Sequence, residues 1–214
     1  MTPIASQARW SPAAGRSLAS SSRGRRTRDK VLESAIVVFG ERGFKASTVL
    51  DIANHAGTAS GTVYQYFEDK NDLFRCLLQD LTDRLYQETR MPVDTNGRLV
   101  ARESVLAYLR LYRDHASIFR AWWDLLEPRT EFTESWLALH NRSVGQMVAV
   151  INDGKKWGAI RQSLNPEITA ELIVAAFERP VYVKDVLGWS NEITDEELAG
   201  LISQLLEEGF AAPI

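Results

Sequence analysis

The chain has 214 residues, 45% of them apolar and 25% charged, with a formal net charge of −3. That is enough apolar material for one large core or two modest ones, in a composition ordinary for a soluble protein. One cysteine, Cys76, excludes an intrachain disulfide and a thiolate cluster, and three scattered histidines (His55, His115, His140) suggest no metal site and no cofactor. No apolar run approaches the ~20 residues of a membrane span, so no membrane partner is expected and a reducing cytoplasm fits.

The net charge conceals an asymmetry. Residues 1–75 carry 11 Lys and Arg against 7 Asp and Glu, while residues 76–214 carry 14 against 21. A basic end that meets a polyanion and an acidic body that does not would produce this pattern.

The first 28 residues hold six arginines, six serines and no acid. An organelle-targeting segment has a similar composition, but Pro3, Pro12 and Gly15 interrupt this one and it has no clear amphipathic repeat. It reads as a disordered, solvated basic tail over residues 1–24. Helical periodicity starts after Thr27, a plausible N-cap, with Val31, Leu32, Ala35, Ile36 and Phe39 on one face and Gly43 as the stop. A second helix follows Thr48, with Val49, Ile52 and Ala53 inward, and ends at Gly57; a third, very short, covers about residues 60–67. Asp69 and Asp72 resemble a capping pair opening a fourth helix that carries Leu73, Leu77, Leu81 and Leu85.

Pro92, Asn96 and Gly97 mark Met91–Gly97 as a loop. Helical patterning then resumes over about 98–115, 117–127, 130–157, 166–187 and 194–209, with Pro128 separating the second and third of these. Asn165 before Pro166, and Thr194 with Glu197, are helix-start signals. Pro180 should bend its helix or end it. No alternating strand pattern occurs. The expected fold is all-α: a helix-turn-helix domain at residues 25–70 and a larger helical domain at 71–214.

Two short helices around a glycine-bearing turn describe a helix-turn-helix, whose second helix lies in the DNA major groove. Gly57 suits the left-handed position that ends the first helix, and Ala53 and Ala56 allow close approach. Ser60, Thr62, Tyr64 and Gln65 would form the recognition surface. Gln65 is the best base-reader, since an amide can pair with adenine. Tyr66 and Lys70 would clamp phosphates just beyond the helix, and Phe67 would be core. Taken alone, Tyr64 and Tyr66 are as readily core as contact.

The stretch "TVLDIANHAGTASGTVYQYFEDKNDL" resembles the helix-turn-helix signature of the TetR family of transcriptional regulators, approximately T-V-x-x-I-A-x-x-A-G-V-S-x-G-T-L-Y-x-Y-F-x-x-K-x-x-L. Thr48, Ile52, Ala53, Ala56, Gly57, Gly61, Thr62, Tyr64, Tyr66, Phe67, Lys70 and Leu73 match it, and "VLESAIVVFGERGFKAST" resembles the helix that precedes it. The resemblance implies DNA binding and adds Thr48 to the candidate contacts. The family's usual Val-Ser is Thr58-Ala59 here; the capping serine is missing, and Thr58 or Ser60 would have to shift the cap by one residue. In this setting Arg25 and Arg26, in "SRGRRTR", would belong to a basic arm that adds affinity for DNA, with a minor-groove role also open.

The second half is rich in large aromatics. Tyr108, Tyr112, Phe119, Trp122 and Trp123 fall at near-helical spacings, and Trp136 and Phe177 join them. Each is individually ordinary core, yet ligand pockets are mostly apolar with a few polar anchors. His140, Asn141, Glu178 and Arg179 could supply anchors, and Trp136, His140 and Ser143 share one helical face. The pattern "HASIFRAWWD…ESWLALHNR…INDGKKWGAI…AAFERPVY" looks like the ethionamide-resistance regulators, whose aromatic-lined tube would map to Tyr108, Trp136, Asn141 and Phe177. Family resemblance further implies that the last two helices pair with a second copy in a four-helix bundle. Otherwise their apolar faces only cover the subunit's own core.

Together these readings describe a cytoplasmic, homodimeric repressor of transcription, released from a palindromic double-stranded DNA operator by a small apolar or aromatic effector. The alternative is a DNA-binding regulator or architectural protein whose body recruits a protein partner and takes no small molecule. An enzyme is not expected: spacing identifies no Ser-His-Asp arrangement, and no glycine loop suits a phosphate.

Overall fold

The computed structural model describes residues 21–89, 100–127, 130–188 and 192–209. The expected tail up to residue 20, the loop Met91–Gly97 and the Pro128 break lie outside them. The described residues form α1 (Ser22–Arg42), α2 (Val49–His55), α3 (Ser60–Tyr64), α4 (Lys70–Glu88), α5 (Arg102–Asp114), α6 (Ala116–Trp123), α7 (Glu131–Lys156), α8 (Pro166–Val181) and α9 (Asp195–Gly209), with a π-helical turn at Tyr182–Val186 and no strand. The fold is all-α.

The chain divides into two compact units. One takes residues up to Asp80 together with Ala121–Ala138, and the other takes Leu81–Arg120 with the residues from Leu139 onward. Helix α4 begins at Lys70, where the sequence suggested a boundary, and its residues are shared between the units.

In the first unit, α1 starts at Ser22 rather than after Thr27. Ser21, in extended conformation, accepts a hydrogen bond from the Gly24 amide at 3.0 Å and caps the earlier start. Thr27 lies within the helix and donates to the Arg23 carbonyl. Val31, Leu32, Ala35 and Phe39 are buried, as their spacing predicts. Phe39, Phe44 and Phe74 pack with ring centroids 4.7–5.4 Å apart, and Phe132 adds a fourth ring 5.7 Å from Phe74. Aromatic clusters of this kind bury large apolar areas and fix helix approach. Asp69 accepts from the Asp72 amide at 2.7 Å, while the buried Asp72 accepts from the Glu68 amide at 2.9 Å, so the expected acidic pair does open α4.

In the second unit, α5 packs on α8 and α9. The buried carboxylate of Asp195 receives Arg113 from α5 and Lys184 from the π turn, which ties three segments to one point. Asn165 accepts from the Ile168 amide at 2.9 Å ahead of Pro166, and Thr194 and Glu197 exchange capping bonds. Pro180 sits in the last turn of α8, where it has no amide to donate. The backbone then widens into the π turn, with the Leu187 amide bonded to the Tyr182 carbonyl at 2.9 Å. The helix neither stops at Pro180 nor continues unchanged beyond it.

Candidate functional site

Two features carry chemistry, one in each unit. The first is the α2-turn-α3 segment. Thr48 caps α2 by a reciprocal box: its hydroxyl accepts from the Asp51 amide at 3.1 Å, and the Asp51 carboxylate accepts from the Thr48 amide at 2.9 Å. The Thr48 hydroxyl, which also donates to that carboxylate at 2.6 Å, and the Thr48 amide hold the half-buried Asp51 carboxyl below its ordinary range, with Arg42 assisting at 2.6 Å. Thr48 is exposed, so capping leaves its far side open to a ligand. At the other end of α2, Gly57 has φ of +61°, a conformation that a side chain would strain. The Thr58 amide closes the turn on the Ala53 carbonyl at 2.9 Å.

Helix α3 follows at once, only five residues long. Its N-cap is Ala59, in extended conformation and without a side-chain bond. Neither Thr58 nor Ser60 shifts the cap, which corrects the compensation anticipated from the sequence. The Thr62 amide reaches the Ala59 carbonyl at 2.9 Å, so the turn closes by backbone alone. Val63 is buried and anchors the helix. Tyr64, 56% exposed, and Gln65 project to solvent, with Ser60 and Thr62 partly exposed beside them.

Tyr66 and Lys70 differ from the anticipated phosphate clamps. Tyr66 is buried, 8% exposed, with its ring 6.5 Å from that of Phe67. Lys70 turns inward: its ammonium donates to the carbonyls of Phe44 at 2.6 Å and Ser47 at 2.8 Å, and lies 4.5 Å from the Phe44 ring centroid. Burial holds its pKa below the usual lysine value. The physical reason is that the turn from α1 to α2 exposes carbonyls that no helix can satisfy, and Lys70 reaches them across the fold. Arg25 and Arg26, expected in a basic arm ahead of the first helix, lie exposed in the first turns of α1.

The second feature is a cavity within the second unit, with about 680 Å³ of atom-free space, its mouth included. Tyr108 and Tyr112 of α5 and Phe177 and Glu178 of α8 line it. Leu85 and Tyr86 of α4, and Leu139, Met147 and Val150 of α7, supply much of the remaining apolar wall. Thr89, Ser104, Ser143 and Gln146 add polar atoms. The rings of Tyr108 and Tyr112 are 4.7 Å apart, and that of Phe177 is 5.5 Å from Tyr108. Burial pushes both tyrosine hydroxyls far above their ordinary pKa, so they are neutral donors. The Tyr108 hydroxyl is fully buried and completes no hydrogen bond of normal geometry. Its neighbour is the Tyr112 hydroxyl, the two tyrosines sharing one polar spot on the wall.

Of the eleven aromatic and polar residues anticipated for a pocket, the structure brings Tyr108, Tyr112, Phe177 and Glu178 together at this cavity, while Arg179 lies 5.4 Å from the Tyr182 ring centroid. Phe119 stacks on Tyr112 at 3.8 Å, supporting a lining ring without lining the space. His140 stands 3.8 Å from Glu178 and 2.9 Å from Glu171. Asn141 is exposed. Trp122, Trp123 and Trp136 belong to the first unit and do not line the cavity: Trp122 donates to the Phe132 carbonyl at 3.1 Å, and Trp123 packs 6.0 Å from Trp136. Trp122 is core, while Trp123 and Trp136 are only partly buried. The sequence reading missed Gln146, Met147 and Val174, whose apolar or amide character gave no distinguishing signal.

The family described as "Bacterial regulatory proteins, tetR family" matches residues 31–77, which span α2, the turn and α3. The repressor KstR2 of Mycobacterium tuberculosis H37Rv is 30% identical over 159 residues, covering 68% of this chain and 75% of that protein. The chain belongs to the TetR family of bacterial transcriptional regulators. Among solved structures, the transcriptional regulator FadR from Bacillus subtilis in complex with stearoyl-CoA superposes with a TM-score of 0.67 at 18% identity, over 85% of this chain and 98% of that one. A transcriptional regulator from Saccharomonospora viridis in complex with choline gives 0.67 at 20% identity, over 88% and 100%. The narrower likeness to the ethionamide-resistance group is not shown by these matches. The TetR fold joins an N-terminal helix-turn-helix domain, which lies here within the first unit, to a helical C-terminal domain.

Proposed function

We propose that this chain is a homodimeric transcriptional repressor that holds a palindromic operator and releases it when a small, largely apolar effector enters the cavity between α4, α5, α7 and α8. The observation that carries this reading is the cavity itself. It is walled by aromatic and aliphatic side chains and has a few polar groups, the neighbouring hydroxyls of Tyr108 and Tyr112 among them. A body serving only to recruit a protein would have no need of such a space.

On the DNA side, Tyr64 and Gln65 read the major groove, with Ser60, Thr62 and Thr48 on base edges or phosphates. Arg25 and Arg26 add phosphate affinity from the start of α1. So short a recognition helix needs a second copy to reach useful affinity. Supporting a second copy, Ile168 and Leu172 on α8 are 62% and 64% exposed, and Leu201 and Leu205 on α9 are 60% and 69% exposed. Each pair is four residues apart and so shares a helix face. Two copies of that surface make a four-helix bundle. The effector acts by population shift, favouring an arrangement whose recognition helices no longer match the operator, with α4 as the lever.

The test selects operators from random duplexes with the full chain and measures the stoichiometry of the complex. Two inverted half-sites bound by two chains are expected. A single half-site bound by one chain would contradict the dimeric reading, and no selected sequence would contradict operator recognition altogether.

A further inference from the structure

We infer that the effector carries a positive charge, as an apolar amine or quaternary ammonium held between the carboxylate of Glu178 and the rings of Tyr108, Tyr112 and Phe177. This deepens the effector reading above and rests on it.

The argument begins with charge. Glu178 lines the cavity and is the only ionisable group of ordinary acid or base strength among the described lining residues; no lysine or arginine joins it there. The Arg142 guanidinium lies 3.7 Å from the ring centroid of Tyr86 and is ion-paired with Asp83 at 2.6 Å. Its charge is therefore already matched outside the cavity.

The second step is the environment of Glu178. Its companion is His140, whose Nδ1 stands 3.8 Å away while Nε2 is 2.9 Å from Glu171. One imidazole shared by two carboxylates leaves a negative charge in excess even when it is protonated. The trio does not make a metal site. Burial pushes the Glu178 carboxyl above its ordinary pKa, and His140 only partly offsets this. The folded chain thus keeps an under-compensated acid on an aromatic wall. An organic cation relieves that cost, because it supplies the missing counter-charge and the ring faces attract it as well. The Arg142 guanidinium over Tyr86 shows the same chemistry on an adjoining ring.

A ligand carboxylate or phosphate in the same space would meet Glu178 without a cation to balance it. A neutral ligand would leave the acid as it is. The cavity therefore discriminates by charge as well as by shape.

The experiment compares two compounds of nearly equal shape, (3-hydroxyphenyl)trimethylammonium and 3-tert-butylphenol, binding to the full chain at pH 7, where both phenols are largely protonated, by calorimetry without DNA. The cation is expected to bind about tenfold more tightly than its neutral counterpart. E178Q should cancel the preference, so that the two compounds bind alike, while E178D, which keeps the charge, should retain it. Equal or tighter binding of the neutral compound to the natural chain overturns the inference, as does a preference that survives E178Q. If the neutral compound alone binds, and also weakens operator binding, the effector reading stands and the charge inference falls. If neither binds at about 5 mM, both fall.

Discussion

The two units carry their chemistry in opposite ways. In the helix-turn-helix, the functional side chains are exposed and the buried ones hold them out: Val63 is 1% exposed, while its neighbour Tyr64 is 56% exposed. In the second unit, the groups proposed to meet an effector lie deeper: Tyr108 is buried and Glu178 half-buried on the cavity wall. A surface that reads DNA can be fully packed behind. A site that accepts a small molecule has to leave space and some unmatched polarity inside the domain, at a cost in stability.

That comparison can be broken by substitution. The largest effect is expected from Phe74→Ala, which removes the central ring of the first unit's aromatic cluster. Losing a fully buried phenylalanine costs about 3–5 kcal/mol. Denaturant unfolding should show this as a lowered midpoint, with operator binding lost in proportion to the unfolded fraction. Lys70→Met comes next, at about 1–2 kcal/mol, because it removes the ammonium that bonds the carbonyls of Phe44 and Ser47, leaving Phe44 only the Ser47 hydroxyl. A fall in melting temperature without DNA supports the inward role, and an unchanged melting temperature with weaker operator binding would restore the phosphate-clamp reading.

Tyr64→Ala and Gln65→Ala should do the reverse. Each should weaken operator binding by about tenfold, or 1.4 kcal/mol, and leave the melting temperature within experimental scatter, since both side chains are exposed. A large loss of stability would show that they are structural. The smallest effect is a gain. Ala59→Ser supplies the absent cap of α3 and should stabilise the chain by up to ~1 kcal/mol, read as a raised unfolding midpoint. No change would mean that backbone closure from Ala59 already suffices.

The same contrast explains what could be read from the sequence. The helix-turn-helix was legible because its parts are close in the chain. Gly57, the small Ala53 and Ala56, the Thr48 cap and buried Val63 have fixed local spacings, each set by backbone geometry. What was not legible there is the direction of two side chains. Tyr66 and Lys70 sit at positions from which they could face out, and only packing against Phe67 and Phe44 shows that they do not.

The start of α1 was misplaced because Ser21 and Thr27 are equally good caps by composition. The cavity was half legible. Tyr108 and Tyr112 share a face of one helix, and Phe177 with Glu178 follows a clear cap at Asn165, so periodicity could suggest each pair. The wall from α7 could not be read, because Met147 and Val150 look like any core residue. Trp122, Trp123 and Trp136 misled for the same reason: aromatic content marks burial, and burial alone does not say against what.

The central claim is that occupation of the cavity changes DNA affinity. The direct measurement is the operator affinity of the full chain by fluorescence anisotropy, with and without a saturating concentration of whichever of the two compounds binds. The account predicts weaker operator binding in the presence of the compound, and weaker binding of the compound by the same factor when operator is saturating. A compound that occupies the cavity by calorimetry and leaves operator affinity unchanged would contradict it.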